Sequence, residues 1–343
     1  MTKRERVERA SALVLPDRPP FVPAVYEHKA ALIGRRPSEV CRDADMLVEA
    51  LLKELEVYDP DAPVVGLDVY NVEAEALGCP VRYFDASNDV PAVAAPVIET
   101  PRDLDRMGLP DPERDGRMPL FLKAARRLHR LKGPDMIVRG AVTGPFSLAC
   151  ALAGTEELLV ATSEAPGFVR KLVEFCAGVS AAYGRSFLAA GLDVVLFDSK
   201  ASPGAASPRV FREFVLPAYR DIVVPALAGA GARRIPLIIG GDTTPILEDL
   251  LRTGATQLLC DAGADLEAFK KRCREERRSF RVSVDARLVH RGPPAAIRAE
   301  GLRILEAAGG QPGFLFGCGV VAYDTPPENV LALREALDLF MRA

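Results

Sequence analysis

The sequence is poor in histidine and lacks the common nucleotide-binding motifs. It contains no Trp and only three His among 343 residues, which restricts any metal site built on imidazole ligands. No P-loop, Cys-x-x-Cys pair or Gly-x-Ser-x-Gly elbow is present, and no Gly-x-Gly-x-x-Gly follows a strand pattern. Phosphate-loop, dinucleotide and serine-hydrolase chemistry therefore have no support.

Long hydrophobic runs and blocks of like charge are also missing. The most apolar stretches, such as 193–197 and 235–239, are about five residues long, whereas a membrane helix needs ~20. Residues 1–9 are charged and lack the apolar core of a secretory signal. The 44 basic and 47 acidic residues are interspersed, with a net charge of −3. We therefore expect a soluble protein with no membrane and no nucleic-acid partner.

Disulfide pairing is not expected either. The seven cysteines are an odd number and are scattered from Cys41 to Cys318. A chain of this length buries a core without cross-links, and unpaired cysteines are typical of a reducing compartment. We therefore expect a cytoplasmic protein in which most cysteines are small buried apolar residues.

Eight short apolar runs alternate with longer helical patterns. Most of the runs lack strict alternation, as expected for strands that are buried on both faces of a parallel sheet. Strand and helix repeated to a count of eight predict a single α/β domain over residues 1–343, a (β/α)8 TIM barrel; an open doubly wound sheet is the alternative. The predicted strands are 21–25, 64–67, 136–142, 193–197, 235–239, 257–260, 280–284 and 313–318.

Prolines and capping residues mark where helices begin. Ser207-Pro208, the Thr-Thr-Pro of residues 243–245 and Pro326-Pro327 each precede a helical pattern. Two segments are additional to the eight strand–helix units of a barrel. Residues 29–58 predict one or two extra helices after the first strand, which extend the N-terminal helical region. Residues 79–115, rich in Pro and Asp, predict a long lid over the barrel mouth.

Polar side chains follow nearly every predicted strand. Because the carboxyl ends of barrel strands meet at one mouth, these side chains are candidates for a site. Asp is also a good N-cap for the helix that follows a strand, so each Asp alone is equally compatible with capping. The candidates for substrate binding are Tyr26, Asp68, Asp198, Gly240, Gly241 and Asp285. The candidates for catalysis are His28, Tyr70, Asp242 and Cys318.

The turn Gly240-Gly241-Asp242 has two interpretations. The glycines either form a tight turn with positive φ, or let a ligand approach the start of the helix 243–252, where free N–H groups favour an anion. Asp242 either caps this helix or supports the leaving group of a reaction. We expect the second role, because the two glycines leave open space beside the carboxylate.

Several segments, taken in order and spacing, resemble the uroporphyrinogen decarboxylase superfamily. They are PDRPPFVP (16–23), Asp68 with EAEALG (73–78), GPFSL (144–148), AGLDVVLFD (190–198) and SPRVFREFVLP (207–217). The later segments GDTTPIL (241–247), GCG (317–319) and TPPENV (325–330) resemble its corrinoid-dependent methyltransferase branch, of the methylcobamide:coenzyme M and chloromethane type. The resemblance covers nearly the whole chain.

The resemblance also places the ligands of that branch's zinc site. There, a His-x-Cys pair after strand 5 and a later Cys bind zinc, which activates a thiol. The later Cys corresponds to Cys318, but Ile238 and Gly240 stand at the positions of the pair. One thiolate cannot replace three or four ligands, so we predict no zinc site of this kind. The arginine segment that binds porphyrinogen carboxylates corresponds to residues 25–29, which hold no Arg, so porphyrinogen decarboxylation is not expected.

The resemblance implies a methyltransferase of the corrinoid-dependent type. It would move a methyl group between a small methylated substrate, such as an ether, thioether or amine, and the cobalt of a corrinoid. We expect the corrinoid to come on a separate protein, because no corrinoid-binding module is recognised in the sequence. Two alternatives stay open: a lyase or decarboxylase for a small non-porphyrin substrate, and a non-catalytic protein that binds a corrinoid partner. A homodimer is an assembly that the sequence leaves open.

Overall fold

Parallel strands form the wall of a barrel in the computed structural model, which describes residues 1–343. The eight predicted strands are all present, and three short ones are added. The strands are β1 Ala24–Val25, β2 Val64–Val65, β3 Val81–Arg82, β4 Ala92–Val93, β5 Arg139–Thr143, β6 Asp193–Phe197, β7 Pro236–Ile238, β8 Gln257–Cys260, β9 Ser279–Val284, β10 Phe314–Cys318 and β11 Val320–Val321.

Seven of these strands make one parallel sheet in the order β10-β9-β8-β7-β6-β5-β2. The first strand joins it through β10, because Phe21 forms a parallel bridge to Phe316 and β1 pairs in parallel with β11. Chain order around the wall, with a helical connection between most neighbours, is the topology of the predicted TIM barrel. The barrel prediction is therefore confirmed.

The seam between β1 and β2 is closed by a side chain instead of a strand ladder. The Nζ atom of Lys29 donates to the backbone oxygens of Val64 (3.0 Å) and Gly66 (2.8 Å). It also lies 3.4 Å from Oε2 of Glu54, and both side chains are buried. One backbone bond, from the Asp61 N–H to the Phe21 oxygen (2.8 Å), spans the same seam. Buried β2 carbonyls thus find donors although no neighbouring strand reaches them.

Helices cover the outside of the sheet. The helices are α1 Lys3–Ser11, α2 His28–Leu32, α3 Pro37–Val40, α4 Ala44–Tyr58, α5 Val72–Ala76, α6 Pro101–Asp105, α7 Met118–Lys132, α8 Pro145–Ala153, α9 Thr155–Glu164, α10 Pro166–Ala189, α11 Pro208–Val210, α12 Val224–Gly229, α13 Leu247–Arg252, α14 Leu266–Glu275, α15 Ala286–Arg291, α16 Pro294–Ala308 and α17 Pro327–Phe340. None of them is both long enough and apolar enough to cross a bilayer.

Two predicted helices are less regular than the sequence suggests. The segment from α11 to α12 contains two π-helical stretches, Phe211–Val215 and Ala218–Val223. Pro217 and Pro225 lie within this segment and cannot supply the N–H that an α-helical turn requires, which accounts for the irregular pairing. The helix predicted from residue 243 opens with a 3₁₀ turn, Thr244–Ile246, before α13.

The two additional segments hold helices and an extra strand pair. Residues 29–58 hold most of α2, all of α3 and all of α4. Residues 79–115 contain the antiparallel pair β3–β4 and the short helix α6. Val90 and Pro91 of this segment line the cavity at the mouth, and the side-chain amide of Asn71 donates to the Pro91 oxygen. The 79–115 segment therefore forms part of the cavity wall.

Candidate active site

A cavity of about 280 Å³ opens at the carboxyl ends of the barrel strands. Its walls are mainly apolar, with Leu67, Val69, Phe197, Ile238 and Leu259 among them. Four of the predicted site residues line it: Tyr26, Asp68, Tyr70 and Gly240. A concave apolar pocket with a few polar groups at the mouth of a barrel is the usual form of a small-molecule site.

The two tyrosines are held in place by their surroundings. The ring of Tyr26 packs edge-on against Phe197, with 5.3 Å between ring centroids. Burial raises the pKa of Tyr26, and burial raises the pKa of Tyr70 to about 12. Both therefore keep their phenolic protons at neutral pH and can donate a hydrogen bond to a ligand.

Asp68 is held by an arginine at the cavity wall. Its oxygens lie 2.7 and 3.2 Å from the guanidinium nitrogens of Arg117, and the Asn71 amide approaches Oδ2 at 3.3 Å. Arg117 also binds Glu75 and the Cys41 backbone oxygen. Burial raises the pKa of Asp68, and the Arg117 charge opposes that rise. Because its lone pairs are engaged, Asp68 shapes the wall and has limited capacity for a substrate.

Glu27, at the end of β1, is a cavity residue absent from the sequence candidates. Its side chain lines the pocket and makes no ion pair closer than 4.0 Å. Burial raises the pKa of Glu27 to about 7, although its own backbone N–H and Lys29 oppose the rise. A carboxyl with a pKa near neutrality can donate a proton at physiological pH and recover it. Its position directly after β1, beside Tyr26, was the signal in the sequence.

Arg281 is the second cavity residue that the candidates lacked. It lies in the middle of β9, pairs in register with Leu259 of β8, and its side chain lines the cavity. Arg281 does not stand at a strand end and was therefore not among the candidates. The alternation of Ser279, Arg281 and Ser283 does indicate a polar face toward the barrel interior.

The glycine turn after β7 supports a neighbouring carboxylate. The backbone N–H of Gly241, whose φ is +79°, donates to Oδ2 of Asp261 (2.8 Å). A Cβ on Gly240 would stand 3.2 Å from the same oxygen. The tight turn with positive φ is therefore present at Gly241. Gly240 and Asp261 line the cavity, and the approach of a ligand to the helix start stays a prediction.

Three of the four predicted catalytic residues, His28, Cys318 and Asp242, lie outside the cavity lining. The Nδ1 atom of His28 lies 3.1 and 3.0 Å from the backbone oxygens of Ala322 and Tyr323, and Nε2 lies 2.6 Å from the Tyr58 hydroxyl. Burial lowers the pKa of His28, so the ring is neutral and occupied at both nitrogens. Cys318 is fully buried in the main core, and burial raises the pKa of its thiol to about 11. The placements of His28 and Cys318 correct the expectation that these two groups face the mouth.

Three predicted aspartates act on helix starts. Asp198 is buried and accepts from the Ser147 N–H (2.7 Å) at the start of α8 and from the Tyr219 hydroxyl (2.9 Å). Asp285 accepts from the first amides of α15. Asp242 is exposed and accepts from the Thr244 N–H (3.0 Å). None of the three lines the cavity, which corrects the expectation that they belong to the site at the mouth. Each carboxylate is engaged at a helix start instead.

The residues present do not fit the zinc site that the resemblance implies. Ile238 and Gly240 line the cavity where the His and Cys of the branch would stand, and neither can ligate. No group of three or more His, Cys, Asp or Glu side chains is close enough together to hold a metal ion.

Comparisons with known proteins agree with this barrel. The family described as Uroporphyrinogen decarboxylase (URO-D) matches residues 2–339. The methylcobamide:CoM methyltransferase MtaA of Methanosarcina barkeri is 28% identical over 78% of this chain and 76% of its own. A uroporphyrinogen decarboxylase of Psychromonas ingrahamii is 29% identical over 84% of this chain and 82% of its own. A solved methyltransferase from Methanosarcina mazei superposes with a TM-score of 0.85 at 24% identity and 99% coverage of both chains, which supports the fold.

Proposed function

The chain belongs to the uroporphyrinogen decarboxylase family, and from that premise we propose that it is a methyltransferase. It moves a methyl group between a small methylated substrate and the cobalt of a corrinoid carried by a separate protein. The observation that carries the proposal is the apolar cavity with Glu27 in its wall, a carboxyl whose pKa is raised to about 7 by burial.

The residues of the cavity have separate roles in this proposal. The apolar wall binds the body of the substrate and excludes water, and Tyr26 and Tyr70 donate hydrogen bonds that orient it. The corrinoid, when its carrier protein docks, supplies the acceptor for the methyl group. As the bond between methyl carbon and heteroatom breaks, the heteroatom keeps the electron pair, and the Glu27 carboxyl supplies it with a proton. Positioning and protonation together lower the barrier.

The relationship to methylcobamide:CoM methyltransferases supports methyl transfer in general. The missing zinc ligands set this chain apart from thiol activation by zinc, so we propose that it works on the methyl-donor side. A second candidate is a lyase or decarboxylase for a small non-porphyrin substrate. Two features favour that candidate: relatives named as decarboxylases, and the buried Arg281 in the cavity wall.

A cobalamin assay separates these candidates. Purified protein is incubated with cob(I)alamin and a panel of methyl ethers, thioethers and amines, and methylcobalamin is followed by its absorbance while released CO₂ is measured in parallel. We expect methylcobalamin from at least one donor and a loss of about 100-fold in the Glu27→Gln variant. CO₂ release without methylcobalamin would support the decarboxylase. The absence of both products across the panel would contradict the proposal.

A further inference from the structure

Arg281 is a buried cation without a protein anion. Its side chain is 4% exposed and lines the cavity. Its one hydrogen bond is long, 3.5 Å from Nη1 to the Val22 backbone oxygen, and its Nε atom has no partner. No carboxylate lies within 4.0 Å of it. A buried guanidinium normally has its charge and its five N–H donors satisfied, so Arg281 has unused binding capacity.

The interior below the cavity adds positive charge. Arg139 of β5 is also buried, and it donates to the Ala62 backbone oxygen while its Nε atom has no partner. Burial lowers the pKa of Arg139 to about 10, and the charge of Arg281 contributes to that shift. Two buried guanidinium groups lie within electrostatic range of each other, and although Asp193 and Glu54 partly offset the charge of Arg139, no side chain pairs with Arg281. An anion beside Arg281 would therefore be favoured.

No carboxyl group of the cavity forms an ion pair with Arg281 within 4.0 Å. Asp68 is bound to Arg117, and Asp261 accepts from the Gly241 N–H. Glu27 has a pKa of about 7 because of burial, so its neutral form is well populated. The charges of the cavity wall thus leave one cation open to a ligand.

We propose that the substrate is a small methylated carboxylic acid whose carboxylate pairs with Arg281 at the floor of the cavity. This inference rests on the proposed methyl transfer and names its substrate class. A guanidinium offers two parallel N–H donors that match the two oxygens of a carboxylate. Arg281 lies three residues before the end of β9, which is ~10 Å of strand. A carboxylate held there leaves the apolar body against the walls and the methyl group near the mouth, where the corrinoid carrier docks.

Binding measured without turnover tests the inference. Calorimetric titration compares methoxyacetate, 3-(methylthio)propionate and 4-methoxybenzoate with their primary amides, on wild type, Arg281→Gln and Arg281→Lys. Arg287→Gln is the matched control, since Arg287 is exposed and follows the same strand. We expect at least one acid to bind wild type and the control equally. It should bind Arg281→Gln about 10- to 100-fold more weakly, the size of a lost charge-assisted bond, and Arg281→Lys with intermediate affinity. Its amide should bind all four proteins equally weakly.

The outcomes separate this inference from the proposed function. Equal affinity of acid and amide for wild type, or an acid affinity unchanged in Arg281→Gln, would overturn the inference even if methylcobalamin forms from a neutral donor. Failure of every acid to bind wild type would overturn it as well. Acid binding that depends on Arg281 but gives no methylcobalamin would uphold the inference and reject methyl transfer. Melting temperatures of all variants confirm that each is folded, and added acid should raise that of wild type more than that of Arg281→Gln.

Discussion

Two buried arginines lie at the cavity, Arg281 in its wall and Arg117 behind the wall residue Asp68, and they differ in their partners. Arg117 binds Asp68, Glu75 and a backbone oxygen, so its donors are used within the protein. Arg281 has one long contact to a backbone oxygen and no anion. A buried charge with a partner recovers much of its desolvation cost and cannot lose that partner without penalty, whereas an unpaired one carries a cost that a ligand can recover. Arg117 thus has a structural role in the cavity wall, whereas Arg281 is available to bind a ligand.

Removing the paired arginine should give the largest effect. Arg117→Met leaves the buried Asp68 carboxylate without its cation, so we expect the free energy of unfolding to fall by about 3–5 kcal/mol in urea titrations. Arg281→Met is the matched comparison, because it removes a buried cation that has no partner, and the empty protein should be as stable as wild type or more so. Equal destabilisation by the two substitutions would remove the distinction between the arginines.

Two acids of the cavity differ in the same way, because Asp68 is paired with Arg117 and Glu27 has no ion-pair partner. We expect Glu27→Gln to reduce kcat by about 100-fold while the fold is retained, since Gln cannot donate a catalytic proton. The active form is protonated, so wild-type kcat should fall as pH rises through about 7. A variant rate that matches wild type, or a wild-type kcat that rises through the same range, would reject the role of proton donor.

The stability of the folded protein should depend on pH through the protonation of Glu27. Because burial raises the pKa of Glu27 from 4.5 to about 7, the folded state holds this proton more tightly than the unfolded state. Its contribution to stability is therefore complete below pH 4.5 and is lost as pH rises through about 7. In urea titrations between pH 4.5 and about 7, the free energy of unfolding should decline less with pH for Glu27→Gln than for wild type. The same dependence on pH in both proteins would contradict the raised pKa.

Asp242 should give the smallest effect, because it is exposed and its contact is a cap. Asn accepts from the Thr244 N–H about as well as Asp does, so Asp242→Asn should change stability by no more than ~0.5 kcal/mol. Its rate of cobalamin methylation should stay within about twofold of wild type. A 100-fold loss of turnover would restore the leaving-group role that the glycine turn suggested.

The sequence predicted the barrel better than it predicted the site. Buried parallel strands are continuous apolar runs, so all eight could be recognised locally. The direction of a side chain at a strand end depends on tertiary contacts: Asp198 turns to the α8 start and His28 to the Ala322 and Tyr323 carbonyls. Tyr26, Asp68, Tyr70 and Gly240 line the cavity as expected. Arg281 lies within β9, away from the strand ends at which barrel sites are expected, so the sequence alone did not place it among the candidates.

The seam between β1 and β2 bears on how wide the cavity can become. Tyr26 and Glu27 stand on one side of it, and Leu67 and Asp68 stand on the other. Most other neighbours in the wall are joined by strand ladders, whereas here the Lys29 side chain reaches Val64 and Gly66 and one backbone bond joins Asp61 to Phe21. Widening the wall at this seam would break fewer backbone hydrogen bonds than widening it within a ladder. We therefore expect tolerance for bulkier substrates to arise along this line of the wall first.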